Sequence, residues 1–236
     1  MSALTFTLKP NLAFKLDCRH LTPNSLADLT LTQIKNLSLL NTKSSHKVSD
    51  FFEVSGENSQ NIIFKNTNNQ LDYIGHKMTN GQIIIEGDCG DFLGANMQGG
   101  TIVCQGNTGD RLGDQMRRGL ILIDGNVGDY CGSRMIAGTI GVLGSIGKYT
   151  GYAMKRGTII LKKPAILNKP IGVLTNHSNF HSTIQDCGTH TLPFLALLFQ
   201  SFQTLPSKFS GLNKQRVQRF AGDLACNGNG EILVIV

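Results

Sequence analysis

The stretch that decides the fold is residues 72–147, which divides into four lines of equal length: DYIGHKMTNGQIIIEGDCG (72–90), DFLGANMQGGTIVCQGNTG (91–109), DRLGDQMRRGLILIDGNVG (110–128) and DYCGSRMIAGTIGVLGSIG (129–147). The period is 19, and several columns recur without a miss. Gly75, Gly94, Gly113, Gly132 and Gly151 make one column; Met78, Met97, Met116, Met135 and Met154 make another; Ile83, Ile102, Ile121, Ile140 and Ile159 make a third. Twenty of the 27 glycines lie between Gly75 and Gly157. Self-similarity at so short a period marks a stack of repeats, none of which can bury its apolar face alone.

The remaining columns give the kind of repeat. Two residues after each isoleucine come Ile85, Cys104, Ile123, Val142 and Leu161, and an i, i+2 pair of apolar residues is strand periodicity. A further apolar column is Ile74, Leu93, Leu112, Cys131 and Thr150. Glycine is too frequent for a helical repeat and too unevenly spaced for collagen. The pattern predicts a mostly β chain: a right-handed parallel β-helix of 19-residue Gly-rich repeats with mixed α/β flanking caps. Successive coils would lie about 4.8 Å apart, methionine over methionine and isoleucine over isoleucine.

Three parts follow: residues 1–68 as an N-terminal cap with degenerate coils, 69–161 as the five repeats, and 162–236 as an extension that packs on or caps the solenoid. The open ends of a parallel stack expose strand edges and require such caps. Asn61-Ile62-Ile63-Phe64 resembles the strand around Ile84, with two extra residues before the next glycine corner. Leu4 to Leu8 alternates like an edge strand, and residues 24–40 are helix-compatible after Pro23. Pro164 and Pro170 mark the exit from the coils. Phe194 to Phe202 and Lys214 to Phe220 read as two short helices, and Glu231 to Val236 as a terminal strand.

Composition excludes several classes. The longest apolar run, Leu192 to Phe199, contains Pro193 and is far too short for a membrane span. The N-terminus has no basic-then-apolar signal, so the expectation is a cytoplasmic protein. Six cysteines without a CxxC give neither a disulfide framework nor a zinc ribbon, and Cys104 and Cys131 fall in apolar columns as inert thiols. His177 and His181, with Cys187 or His190, have metal-ligand spacing but lie in a loop-like segment, so no metal site is expected. No nucleophile elbow, P-loop or paired-carboxylate motif is present, and no catalytic residue is predicted.

Charge is segregated within the repeats, which carry eight acidic and eight basic residues. Asp72, Asp91, Asp110 and Asp129 share a turn position, where a carboxylate accepts backbone N–H groups; the spacing of a calcium-binding nonapeptide is missing. Arg117, Arg118, Arg134, Lys155 and Arg156 cluster around the methionines. They form either a solvated face or a surface for a polyanion, whose repeated charges would add weak contacts. Nucleic acid is disfavoured because no recognition motif accompanies them.

Asp-Tyr-Ile-Gly-His-Lys-Met-Thr-Asn-Gly (72–81), Met-Arg-Arg-Gly (116–119), Met-Ile-Ala-Gly-Thr-Ile (135–140) and Met-Lys-Arg-Gly-Thr-Ile (154–159) resemble the C subunit of formylmethanofuran dehydrogenase. That family includes its bacterial counterpart, the C subunit of the formyltransferase/hydrolase complex. The same β-helix also forms the C-terminal domain of the glutamate synthase large subunit. The resemblance spans residues 50–161 and takes in the tail from Arg219 to Leu233. It implies a non-catalytic component that works with the A, B and D subunits in the one-carbon metabolism of methylotrophy. There, formyl passes from formyl-tetrahydromethanopterin to methanofuran (methylofuran) on the D subunit, and the A subunit, a metal-dependent amidohydrolase, releases formate. The chain looks closer to this bacterial branch. The alternatives are the archaeal molybdenum or tungsten dehydrogenase, or a stand-alone glutamate synthase β-helix domain. The resemblance implies no cofactor bound by this chain itself, but it gives the five basic residues a candidate ligand: the polyglutamate arm of the furan cofactor, or acidic partner subunits.

Overall fold

Local pattern accounts for each element in turn. In the computed structural model, which describes residues 2–10, 12–39, 46–162 and 183–236, the alternation of Ala3–Leu8 makes strand β1, with Leu4, Phe6 and Leu8 buried on one face. The short β2 (Leu16–Asp17) follows. Three short helices come next. Helix α1 (Pro23–Leu26) is capped by Thr22, α2 (Leu31–Asn36) opens with a Thr30–Gln33 capping box, and α3 is Val48–Phe51. Strands β3 (Phe52–Ser55), β4 (Asn58–Thr67) and β5 (Leu71–Asp72) lead into the repeats. Each repeat then supplies one strand: β6 (Gln82–Gly87), β7 (Thr101–Cys104), β8 (Leu120–Ile123), β9 (Thr139–Val142) and β10 (Thr158–Lys162). After β11 (Gln185–Thr191) come α4 (Phe194–Ser201), β12 (Arg216–Gly222) and β13 (Gly230–Ile235).

The result is mostly β. One eleven-stranded mixed sheet has the order β11-β12-β13-β10-β9-β8-β7-β6-β4-β1-β3, and β2 pairs with β5 in a small second sheet. From β1 to β13 the large sheet is parallel, and only its two ends are antiparallel. Register follows the sequence columns: Ile83, Ile102, Ile121, Ile140 and Ile159 pair in succession, and Ile232 of β13 adds a further rung. Below the repeats Ile62 pairs with Ile83, two residues longer than the 19-residue step, as the sequence spacing anticipates.

Packing explains the unbroken columns. The five methionines of the repeat column are all buried in one core with the isoleucines. A β-carbon at Gly119 would stand 2.8 Å from Met97 Cε, at Gly138 2.8 Å from Met116 Cε, and at Gly157 2.7 Å from Met135 Cε. The methyl tip of each methionine thus fills the space that glycine leaves in the next rung. Real carbon atoms essentially never approach so closely in a close-packed interior, so a β-carbon there would push the thioether tip aside, and at Gly119 it would also meet the Gly100 carbonyl oxygen at 2.7 Å.

Between the inward isoleucines, Val103, Leu122 and Ile160 point to the other face of the sheet and are also fully buried. They form a second core with Leu195 and Phe199 of α4, Phe202, Phe209 and Leu233. At the matching position in β9 stands Gly141, where a β-carbon would meet the Phe209 ring at 2.7 Å.

Two sequence expectations are overturned. Lys214 to Phe220 is not a helix; its main part is strand β12, antiparallel to both β11 and β13. Val217 enters the outer core and Phe220 the inner one, an arrangement only a strand between two apolar layers provides. Strand β1 is not an edge either, because β3 covers it, with Phe52 edge-on to Phe6 at 5.8 Å. Pro164 and Pro170 lie outside the described residues. Helix α4 and strand β13 stand where the sequence places them.

Candidate functional site

The acidic column proves to be a ladder. Asp72 Oδ1 accepts the N–H of Asp91 at 2.8 Å, Asp91 that of Asp110 at 2.9 Å, Asp110 that of Asp129 at 2.7 Å, and Asp129 that of Lys148 at 2.7 Å. Asp88, Asn107 and Asn126 make a second ladder of the same kind, ending on the N–H of Ser145. A β-carbon at Gly90, Gly109, Gly128 or Gly147 would collide with the ladder carboxylate of the rung before it. These carboxylates therefore stitch one rung to the next rather than closing a turn within a rung. Among the described residues no group of three His, Cys, Asp or Glu is placed to hold a metal ion. His177 and His181 lie outside those residues.

The five basic residues separate. Arg117, Arg118, Lys155 and Arg156 are exposed on the turn that follows the methionines. Among the described residues none of the four makes an ion pair. Arg134 stands on the other side of its methionine. Its Nε and Nη2 donate to Asp114 at 3.0 and 2.5 Å, and Ser133 Oγ donates to the same carboxylate at 2.5 Å. The Asp114 side chain is buried, and its hydrogen bond raises the Arg134 pKa above the usual guanidinium value.

Arg134 belongs to a corner that sequence reasoning misses. Tyr73, Phe92, Arg111, Tyr130 and Tyr149 stand 19 residues apart, all with φ between 59° and 61°. Left-handed backbone is uncommon for bulky side chains. The compensation is a hydrogen bond directed up the stack, as from Arg111 N–H to Asp129 O and from Tyr130 N–H to Lys148 O, each at 2.8 Å. The side chains consequently lie over one another. Arg19 caps Tyr73 at 4.7 Å, and Tyr73 stacks on Phe92 at 4.6 Å. Arg111 lies 5.8 Å from the Phe92 ring and 4.8 Å from that of Tyr130, which in turn stacks on Tyr149 at 5.0 Å. Tyr152 stands perpendicular to Tyr130 at 5.8 Å. At the upper end Arg111, Tyr130, Arg134, Tyr149 and Tyr152 line a cleft of about 490 Å³. The periodic signal is present at these positions, but a column that mixes tyrosine, phenylalanine and arginine does not stand out as one residue type.

No family model matches the chain. Over 92 residues it is 30% identical to the C subunit of tungsten-containing formylmethanofuran dehydrogenase 2 from Methanococcus maripaludis, covering 38% of this chain and 34% of the relative. Over 86 residues it is 31% identical to the C subunit of the formyltransferase/hydrolase complex Fhc from Methylorubrum extorquens, covering 36% of this chain and 32% of the relative. The aligned part thus spans about a third of the length of these curated relatives. The fold matches a chain in the crystal structure of the formyltransferase/hydrolase complex (FhcABCD) from Methylorubrum extorquens in complex with methylofuran. That match has a TM-score of 0.64 and 26% identity, and it covers 98% of this chain and 99% of that one. This chain is similar to the C subunits of formyl-processing complexes. Those C subunits are components of enzyme assemblies, and the solved assembly contains methylofuran. Among the described residues no helix is long and apolar enough to cross a membrane.

Proposed function

We propose that this chain is the C-type, non-catalytic structural component of a cytoplasmic formyltransferase/hydrolase complex, assembled with A, B and D subunits. In that assembly formyl passes from formyl-tetrahydromethanopterin to methanofuran (methylofuran) and leaves as formate at the metal-dependent amidohydrolase subunit. The observation that carries the reading is the end-to-end fold match to a chain of the solved complex. The scaffold role is supported by the state of the chain's reactive groups. Burial pushes the Cys131 thiol up to about 12 and that of Cys18 higher still, while the buried Asp17 and Asp114 are paired with Arg19 and Arg134.

We also infer a right-handed parallel β-helix over residues 69–161, flanked by caps at 1–68 and 162–236. Support comes from hydrogen bonds that repeat between rungs at the strands and at the corners alike, and from the right-handed preference of parallel crossovers. On its surface Arg117, Arg118, Lys155 and Arg156 are assigned to the polyglutamate arm or to acidic partner subunits, while Arg134 is the member already committed to Asp114.

Purification of the tagged chain from its native cells tests the assignment. Three larger partners and formyl-transferring activity should travel with it. A chain that runs alone and itself hydrolyses a formyl substrate would overturn the scaffold reading. The double variant Arg118→Ala/Arg156→Ala should loosen assembly or cofactor retention at moderate salt; unchanged co-purification and turnover would remove that surface from the proposal. The tungsten dehydrogenase is a second reading, supported by the name of the Methanococcus relative. Tungsten or molybdenum in the purified assembly would select it.

A further inference from the structure

The cleft at Arg111, Tyr130, Arg134, Tyr149 and Tyr152 has no part in the scaffold reading, yet its groups are arranged as a recognition site. Its volume of about 490 Å³ falls in the small-molecule range. Arg111 places its guanidinium carbon between the rings of Phe92 and Tyr130 and, among the described residues, has no carboxylate partner. Stacking fixes the plane of a guanidinium while leaving its N–H edge able to donate two parallel hydrogen bonds. Arg134 is different: Asp114 balances its charge and takes up its Nε and Nη2. Among the described residues the cleft therefore has one unbalanced positive charge, with a second guanidinium beside it that is already fixed in place.

The carboxylates before Arg111 in the chain and one rung above it do not neutralise that charge by an ion pair among the described residues. Asp110 and Asp129 each commit an oxygen to a backbone N–H one rung on. The other walls are rings. Tyr149 and Tyr152 are 45% and 40% exposed; the Tyr149 ring lies within 20° of the Tyr130 plane and the Tyr152 ring at 87° to it, so two steeply inclined ring planes meet in a partly exposed corner. Exposed rings at right angles present both a face and an edge, the geometry in which a third aromatic group packs best.

A single charge beside an aromatic corner matches one anionic group attached to one flat ring. We propose that this cleft binds a planar aromatic carboxylate, its carboxylate on the edge of Arg111 and its ring in the corner formed by Tyr149 and Tyr152. This assignment does not depend on the partners or the reaction proposed above.

The composition supplies the readout. The chain has four tyrosines and no tryptophan, and three of the four line the cleft while Tyr73 stands apart on the same stack. Ring-labelled tyrosine spectra of the full chain should be recorded during titration with benzoate, acetate, benzyl alcohol, inorganic phosphate and an oligoglutamate. Benzoate at millimolar levels should shift Tyr130, Tyr149 and Tyr152 and leave Tyr73 in place. Acetate and benzyl alcohol should each bind far more weakly. Arg111→Gln should weaken benzoate roughly tenfold, as expected on losing a charge-assisted hydrogen bond. Should Arg111→Gln fail to fold, Tyr152→Leu carries the test by weakening benzoate without altering acetate. The proposal is overturned by an unresponsive set of tyrosines or by acetate or phosphate matching benzoate. It is equally overturned if oligoglutamate alone produces the shifts, or if benzoate binding survives whichever folded variant is used.

Discussion

Asp110 and Arg111 are neighbours in the chain, and their columns stitch the same two rungs by different means. In the aspartate column the side chain makes the link, accepting the N–H that lies one rung on. In the next column the backbone makes the link, because its left-handed conformation turns the N–H toward a carbonyl of the following rung. The consequence is visible in composition. The first column holds the same residue for four rungs, whereas the second runs through tyrosine, phenylalanine, arginine and two tyrosines. A position that must supply an acceptor has little freedom. A position relieved of that duty can collect chemistry.

Substitutions can break this contrast at several strengths. The interior on which both columns rest should give the largest effect: Met116→Ala removes a fully buried side chain under Gly138 and should cost about 2–5 kcal/mol in denaturant unfolding. Gly128→Ala should follow at about 1–3 kcal/mol, because its methyl group would displace the Asp110 carboxylate from the N–H of Asp129. Asp110→Ala, which removes the acceptor without adding bulk, should cost about 1 kcal/mol. Asp110→Asn should stay within roughly 0.5 kcal/mol of the parent, since Asn107 and Asn126 perform the same task one corner away. If Asn proved as costly as Ala, charge rather than acceptance would define the column. Smallest of all, Arg118→Ala/Arg156→Ala should leave the midpoint of unfolding unchanged while altering association. Alkylation of the native chain gives a separate check on the interior. Cys187 is exposed and should react, whereas Cys131, buried with its thiol held near 12, should react only after unfolding.

Much of the repeat stack is legible in the sequence, because one apolar side chain per column must meet its copy in the next rung. Repetition turns a weak local pattern into a strong one. The flanks lack that amplification. Residues Lys214 to Phe220 show apolar spacing compatible with a helix, and only the presence of apolar layers on both sides makes a strand the answer. The outer core is legible in part, since Val103, Leu122 and Ile160 are apolar where an exposed strand would be polar. What covers them is set by α4 and Phe209, far away in sequence. The spacing of the aspartates marks them as acceptors for backbone N–H groups, but their reach across rungs rather than around a turn is a three-dimensional fact. Nearness to methionine groups the basic residues in sequence. Backbone geometry separates them, because Arg134 lies at a positive-φ position and Arg117 and Arg118 do not.

The interlock of methionine tip and glycine also governs how such a gene can change in length. Within the repeats, gaining or losing a single codon would put the thioether of that rung out of step with the glycine above it, so growth by duplicating whole units is the least disruptive route. The junction below Ile83 lies outside that constraint: the β-carbon space of Gly81 faces Gln60 and Pro23 instead of a methionine. It is there that the step lengthens by two residues. Insertions accumulated over evolutionary time should therefore be found at this lower boundary and beyond the last methionine, and not between them.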